Sequence, residues 1–245
     1  TKFQRNAWKV WRMIIQGTRL VGGRYQTLGV YTSGLSMWLD ANNGASYPGS
    51  GSTWYDLSGN GNDQTLVNSP TYTSGTPSYF SFNGFDQYST GSTTVLGVNT
   101  YTKMVWFQLD AAADNNIVSS DAGGHYMYFA NSSTLWAGNA NVPPYNIPGT
   151  SFGSATSFST GTWYCATVVF TSPQIYLYIN GALNNYDITY SGLARGGDGS
   201  VNLGCFAPGG NLLNGKIAEV YCYASALTAA QVTQNYNATK SKYGL

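Results

Sequence analysis

The sequence predicts an all-β protein, a two-sheet antiparallel sandwich or jelly roll that ends in one short helix. Residues 163–170 are almost wholly apolar, which suits a strand with neighbours on both of its faces. In residues 175–179 aliphatic side chains alternate with tyrosines, so the aliphatic side chains face a core while Tyr176 and Tyr178 face outward. Asn180 and Gly181 then accept the positive φ angles of a tight hairpin turn.

The strand pattern begins at Leu35 and recurs along the chain. It predicts further strands at residues 35–40, 79–84, 102–110, 125–130, 135–138, 201–206 and 216–223. Segments rich in glycine, proline and small polar residues predict loops at 42–53, 139–161 and 191–199. Thr228 and Gln231 have the spacing of a capping box, which predicts that the C-terminal helix starts there.

The composition describes a surface that is polar but poor in charge. Only 9% of the residues are charged, although 42% are hydrophobic and 15% aromatic, so Ser, Thr, Asn, Gly and Tyr must cover the surface. Such a surface suits a multi-copy assembly, an extracellular setting or contact with carbohydrate. The three cysteines show no metal or redox spacing and are interpreted as buried free thiols, with one disulfide plus one free thiol as the alternative.

Residues 1–34 differ from the rest of the chain and are predicted to form a basic, aromatic arm and linker, ahead of a sandwich domain at residues 35–245. Six of the eleven basic residues fall in the first 24 positions. Apolar residues recur there at helical spacing, which fits a short helix packed on the domain's own flank or an arm that docks on an acidic partner surface. Membrane-surface binding is a weaker alternative, and nucleic-acid binding is not favoured. The predicted docking residues are Arg5, Trp8, Lys9, Trp11, Arg12, Arg19 and Arg24.

No run of eighteen uncharged apolar residues occurs, so the sequence predicts no membrane-spanning helix. Lys9 and Arg12 interrupt the apolar stretch near the start, which does not fit a signal peptide.

Four segments, in order, resemble the concanavalin A-like lectin/glucanase sandwich in its laminin-G-like branch, over roughly residues 35–240. They are SMWLDANNGASYPGSGSTWYDLSGNGND, SYFSFNGFDQYST, FSTGTWYCATVVFTSPQIYLYINGAL and GKIAEVYCYASALTAAQV. The first resembles a variant common among virion and other surface proteins of phages and large viruses. The resemblance implies the sandwich fold but not the ligand, because this fold hosts lectins, hydrolases, adhesion modules and structural pieces. Asn83 and Gln87 stand where that branch usually has acids.

Glycoside hydrolysis is the enzyme activity that the resemblance suggests, and it needs two carboxylates on either side of the scissile bond. The chain contains one glutamate, Glu219, with no acid within ten residues on either side. An aspartate could still approach it in space, so hydrolysis stays the least favoured hypothesis. His125, the one histidine, is interpreted as a surface or loop residue.

Calcium is the one cofactor that the sequence suggests. Asp56, Ser58 and Asn60 match the first half of an oxygen-rich calcium loop, but position twelve of such a loop would be Val67. The alternative is an Asx turn, in which the same side chains bond the backbone.

Carbohydrate binding needs a stacking aromatic and planar polar groups near exposed loops. The candidate residues are Asp121, Trp136, Asn139, Tyr145 and Asp198.

These observations favour a non-enzymatic virion surface protein, such as a capsid decoration or fibre protein, whose residues 1–34 bind other virion proteins. The alternative is an adhesin that binds host-surface glycans. The many tyrosines on a charge-poor surface also suggest a homo-oligomer or a multi-copy assembly.

Overall fold

The structure is a computed structural model. It describes residues 18–21, 24–91, 95–97, 99–120, 125–130, 133–138, 151–188, 200–206 and 210–245, and of residues 18–27 only the backbone.

The described residues form short antiparallel strands and one C-terminal helix. The strands are β1 (Thr18–Val21), β2 (Arg24–Thr27), β3 (Leu35–Asp40), β4 (Thr53–Trp54), β5 (Gln64–Val67), β6 (Thr71–Thr73), β7 (Tyr79–Asn83), β8 (Tyr88–Gly91), β9 (Thr100–Leu109), β10 (Asn115–Asn116), β11 (Val118–Ser119), β12 (Tyr126–Phe129), β13 (Thr134–Gly138), β14 (Ser151–Ser157), β15 (Trp163–Thr171), β16 (Gln174–Ile179), β17 (Ala182–Asp187), β18 (Asn202–Leu203) and β19 (Asn214–Tyr223). Helix α1 spans Ala229–Thr239, and a 3₁₀ turn follows at Lys240–Tyr243.

The strands build a sandwich. One layer is an eight-stranded sheet, called the large sheet, with the order β17-β16-β15-β9-β19-β7-β6 and β3 paired to β19. The other layer contains a four-stranded sheet, β10-β12-β13-β14, and a five-stranded sheet, β11-β18-β8-β5-β4. A continuous apolar core lies between the layers and takes side chains from both, for example Val105 and Val168 from one and Met127 and Leu135 from the other. This confirms the predicted all-β sandwich.

The β15–β16 hairpin lies within the large sheet as the alternation predicts. Ile175, Leu177 and Ile179 pack in the core, and Asn180 and Gly181, with φ angles of 50° and 75°, form the predicted tight turn, which joins β16 to β17. The prediction that both tyrosines face water is only partly correct, because Tyr178 is buried although it points away from the core. Its face of the sheet is covered by α1.

Helix α1 begins with the predicted capping box. The Thr228 side chain accepts from the Gln231 amide, and the Gln231 side chain accepts from the Thr228 amide. Each bond pairs a backbone N–H that has no partner within the helix. The helix and the 3₁₀ turn then close the outer face of the large sheet, where the Tyr243 ring stacks on Trp106 at a centroid distance of 3.9 Å. This second apolar cluster also contains Tyr221, Tyr223 and Val232.

Two predicted loops differ in the structure. Within the predicted 139–161 loop, Ser151–Ser157 form β14, because its alternation of small residues is compatible with a strand beside β13. The predicted linker at 31–34 is held to the domain: the Tyr31 amide donates to Asn235 Oδ1 at 2.7 Å, and the Tyr223 hydroxyl donates to the Tyr31 carbonyl at 2.7 Å. Polar groups of α1 and of β19 thus bind this backbone segment.

The predicted N-terminal arm is described only in part. Residues 18–21 and 24–27 form the paired strands β1 and β2, with Thr18 opposite Thr27. Arg5, Trp8, Lys9, Trp11 and Arg12 lie outside the described residues, and of Arg19 and Arg24 only the backbone is described. Their docking role stays a prediction. No helix in the described part of the chain is long and apolar enough to cross a membrane.

Candidate functional site

The single glutamate lies beside an aspartate that is distant in sequence. Glu219 on β19 pairs in register with Asp40 on β3, and a bulge between Ile217 and Glu219 turns the Glu219 side chain toward the helix-covered face. Lys242 of the 3₁₀ turn bridges the two carboxylates, with Nζ 2.6 Å from Glu219 Oε1 and 3.0 Å from Asp40 Oδ2. Sequence spacing could not reveal this pair, because strand pairing brings it together.

The remaining oxygens of the pair are occupied by other donors. The Tyr221 hydroxyl donates to Glu219 Oε2, and Asn42 Nδ2 donates to Glu219 Oε1 and to Asp40 Oδ1. Glu219 is fully buried and Asp40 is 4% exposed. Burial raises the pKa of Glu219, and the Asp40 charge raises it further, while Lys242 and Tyr221 oppose the shift. The two carboxylates therefore form a closed ion cluster that attaches the C-terminal turn to the sheet.

The predicted calcium residues form a hydrogen-bonded turn. Asp56 Oδ1 accepts from the amides of Trp38 and Ser58, each at 2.8 Å. Asp56 Oδ2 accepts from the Ser58 hydroxyl at 2.7 Å and from the Asn62 amide at 3.0 Å. Asn60 Nδ2 donates to the carbonyl of Leu35.

These donors fill about four lone-pair positions of the Asp56 carboxylate, which is its full capacity. The contacts are those of the Asx-turn alternative. A calcium ion at Asp56, Ser58 and Asn60 would have to displace these donors, and calcium binding there stays a prediction. In the part of the chain that the structure describes, no three His, Cys, Asp or Glu side chains gather as a metal site would require.

The histidine is buried, so its interpretation as a surface residue is wrong. His125 is fully buried, its Nε2 lies 2.9 Å from the Ser200 carbonyl, and its Nδ1 lies 3.0 Å from Lys103 Nζ. Lys103 is also fully buried and donates to the Val118 carbonyl. Burial lowers the pKa of Lys103 to about 7, although the nearby Cys222 opposes the shift.

All three cysteines are buried free thiols, as predicted.

His125 and Lys103 lie near one end of the sandwich, which we call the loop end. The described residues that flank three connections meet there. The Ser120 amide donates to the His125 carbonyl, Gly138 pairs with Tyr126, and Ser200 contacts His125. The described residues on both sides of segment 121–124, the residue before segment 139–150 and the residue after segment 189–199 therefore lie at this end. Four predicted carbohydrate-binding residues belong to these segments and lie outside the described residues, namely Asp121, Asn139, Tyr145 and Asp198.

The fifth predicted residue, Trp136, lies on β13 two residues before the loop end. Its neighbours Leu135 and Ala137 pack in the core, so Trp136 points to the outer side of the four-stranded sheet, where it is half-buried. Across the strands it pairs with Tyr128 on one side and with Gly153 on the other. Tyr128 in turn pairs with Asn116 on β10. We call these four residues, Asn116, Tyr128, Trp136 and Gly153, the Trp136 row.

Sequence reasoning found only Trp136 in this row. Tyr128 could have been found from the alternation of β12, in which Met127 and Phe129 face the core. Asn116 and Gly153 had no such signal, because their importance depends on the register between strands.

The described residues form two packed layers of antiparallel strands and a short closing helix, with aromatic side chains near the loop end. This arrangement is that of a lectin-type sandwich. The chain belongs to the concanavalin A-like lectin/glucanases superfamily: the family model of its laminin-G-like branch matches residues 82–233. No curated protein sequence matches significantly.

Solved structures share the fold at low sequence identity. Domain 4 of AbnA, a GH43 extracellular arabinanase from Geobacillus stearothermophilus in complex with arabinotriose, has 17% identity and a TM-score of 0.63, and the match covers 82% of this chain and 98% of that domain. The receptor-binding domain of the botulinum neurotoxin C/D mosaic serotype has 12% identity and a TM-score of 0.64 over 84% of this chain. This chain covers 51% of the toxin domain's length.

Proposed function

We propose that this chain is a non-enzymatic, carbohydrate-binding lectin-type module. The observation that carries the proposal is the closed cluster of Glu219, Asp40 and Lys242. A glycosidase needs one carboxylic acid and one carboxylate that reach the scissile bond from either side. Here the carboxylate pair is buried and its oxygens are bonded to Lys242, Tyr221 and Asn42, so it stabilises the fold.

Carbohydrate as the ligand class is supported by the surface and by proteins of the same fold. The polar, charge-poor composition supplies amides, hydroxyls and tyrosines, which match the hydroxyl groups and apolar faces of sugars. The arabinanase domain with this fold forms a complex with arabinotriose. Botulinum neurotoxin type C, which shares the fold, depends on interaction with two ganglioside molecules for cell entry.

The full chain on an array of neutral and acidic oligosaccharides tests this proposal. We expect retention of at least one glycan class and no release of reducing ends from the corresponding polysaccharide. Glu219→Gln is the matched variant and should keep glycan binding unchanged. Release of reducing ends by the wild type that Glu219→Gln abolishes would contradict the non-enzymatic function, and retention of no glycan would contradict the ligand class.

A second candidate function is attachment to a virus particle, with the sandwich displayed on the virion surface. One observation favours it: Gly29 and Tyr31, which follow the basic residues in the chain, are bonded to Gln234 and Asn235 of α1 and so lie on the helix-covered face. Trp136 faces the opposite side of the sandwich. A basic segment could thus bind other particle proteins while the far side stays open to glycans.

Deleting residues 1–24 tests the attachment. We expect the shortened chain to keep the β-rich circular dichroism spectrum of the sandwich and to be lost from purified particles. Unchanged incorporation of the shortened chain would contradict the docking role.

A further inference from the structure

The Trp136 row crosses four adjacent strands on a single outer face. Directly paired residues of neighbouring antiparallel strands point to the same side of a sheet. Strand spacing of about 4.8 Å places Asn116, two strands from Trp136, at about 10 Å. That span is the size of one or two sugar rings.

The absence of a side chain at Gly153 allows the Trp136 ring to approach the backbone of β14 closely. A Cβ atom at Gly153 would meet Trp136 Cζ3 at 3.1 Å and Cε3 at 3.3 Å, and the Thr134 methyl carbon at 3.2 Å. The six-membered part of the indole ring therefore rests against the bare backbone of β14. An indole that packs on the glycine in this way is covered on that side only, which agrees with its half-buried state.

The row also contains polar groups without partners. Asn116 is 1% exposed, and its Oδ1 is buried and accepts no hydrogen bond. A ligand hydroxyl therefore reaches this oxygen only when the side chains above it move aside. A buried carbonyl oxygen without a donor is unfavourable, and a ligand that donates to it removes this cost. Among the described residues, the indole N–H of Trp136 donates to no acceptor either. Buried indole N–H groups of Trp38 and Trp54 also lack partners, but neither residue belongs to this outward row.

We propose that the Trp136 row binds a neutral pyranose unit with equatorial hydroxyl groups. The unit stacks on Trp136, and one of its hydroxyls donates to Asn116 Oδ1. The proposal deepens the carbohydrate-binding function proposed above and rests on it.

The chemistry of the row selects this class of sugar. The negative face of an aromatic ring attracts C–H groups that carry partial positive charge. A pyranose with equatorial hydroxyls presents axial C–H groups on a flat face, whereas an axial hydroxyl interrupts that face. None of the four side-chain positions of the row is charged, so nothing in the row compensates the charge of an acidic sugar.

Isothermal titration calorimetry of the full chain tests the proposal with cellohexaose, whose hydroxyls are equatorial, and mannohexaose, whose 2-hydroxyls are axial. We expect tighter binding of cellohexaose. Trp136→Ala should weaken it at least tenfold, and Gly153→Val should weaken it at least fivefold because the added side chain displaces the indole. Tyr55→Ala is the matched control, since Tyr55 is a 44% exposed aromatic that follows β4, at the opposite edge of the five-stranded sheet from β11. It should leave the Kd within twofold of the wild-type value.

Asn116→Leu separates binding from folding. Replacing an unpartnered buried amide by an apolar side chain of similar size should maintain or raise the Tm. If the amide oxygen binds a sugar hydroxyl, the same variant weakens cellohexaose binding at least fivefold.

Wild-type binding that survives both Trp136→Ala and Asn116→Leu within twofold would overturn the site while leaving the carbohydrate-binding function in place. Preference for mannohexaose would overturn the sugar class. A wild type that binds neither probe, nor any glycan on the array, would overturn the function and the site together.

Discussion

The outer faces of the large sheet and of the four-stranded sheet each carry a tryptophan, but the two tryptophans differ in burial. On the outer face of the large sheet, Trp106 is fully buried beneath Tyr243, and its indole N–H donates to Thr239 at 2.9 Å. On the outer face of the four-stranded sheet, Trp136 is half-buried, and no ring in the described residues stacks on it. Helix α1 and the 3₁₀ turn cover the first face, and no described helix covers the second.

The difference shows that aromatic side chains can either pack beneath a helix or remain partly exposed on a sheet. Where a helix covers the sheet, aromatic rings pack as a second core and the ion cluster of Lys242 holds the cover in place. On the second face, a tryptophan rests on a glycine and is only half-buried. Exposure of the ring, rather than the presence of aromatic residues, therefore distinguishes the face suited to binding.

The largest expected effect is on the covered face. Lys242→Met should leave Asp40 and Glu219 as adjacent buried carboxylates without a cation. Breaking a buried ion pair costs about 3–5 kcal/mol, and the partial exposure of Lys242 reduces this to about 2 kcal/mol. Thermal unfolding should show a Tm lower by roughly 6 °C.

Glu219→Gln combined with Lys242→Met is the control, since it removes one of the two negative charges and should recover part of the loss. An unchanged Tm for Lys242→Met would show that the cluster does not hold the cover. Glycan binding of both variants should equal that of the wild type.

An effect of about the same size is expected at the Asp56 turn. Asp56→Ala removes the acceptor for four hydrogen bonds and should destabilise the fold by about 2 kcal/mol. Asp63→Ala, which removes one acceptor for the Asp56 amide, is the milder control. If the turn acts through these bonds alone, calcium and a chelator leave both losses unchanged. A calcium-dependent rise in the wild-type Tm that Asp56→Ala abolishes would instead support the calcium site.

The third effect depends on pH. The folded chain lowers the pKa of Lys103 from 10.5 to about 7, so between these values the unfolded chain binds more protons. Wild-type stability should therefore rise with pH over this window, relative to Lys103→Met, by about 1.4 kcal/mol per pH unit at most. Below pH 7 the cost of the buried ammonium is fully present.

Urea unfolding of wild type and Lys103→Met at pH 6 and pH 9 measures this difference. The same stability difference at both pH values would show that Lys103 keeps its charge within the fold.

Local patterns in the sequence were sufficient to predict the fold. The alternation of residues 175–179, the Asn180-Gly181 turn and the Thr228 capping box depend on neighbouring residues alone, and each appears in the structure. The pattern does not predict strand β14, because apart from Phe152 its residues are small and show no strong apolar alternation.

The candidate sites could be predicted only in part, because register and burial decide them. Asp40 and Glu219 lie 179 positions apart and meet only through the pairing of β3 with β19. His125 follows a polar stretch and was interpreted as exposed, yet it packs against Lys103 in the interior. Trp136 was found as an aromatic near a loop, while Asn116 joins it only through β12.

The most direct test follows the indole N–H signals of the wild-type chain by ¹H–¹⁵N NMR during addition of cellohexaose. The account predicts that the Trp136 signal shifts in proportion to bound sugar, while the signals of Trp106 and Trp54 stay in place because both rings are buried. Shifts confined to Trp106, with Trp136 unmoved at saturating sugar, would contradict it.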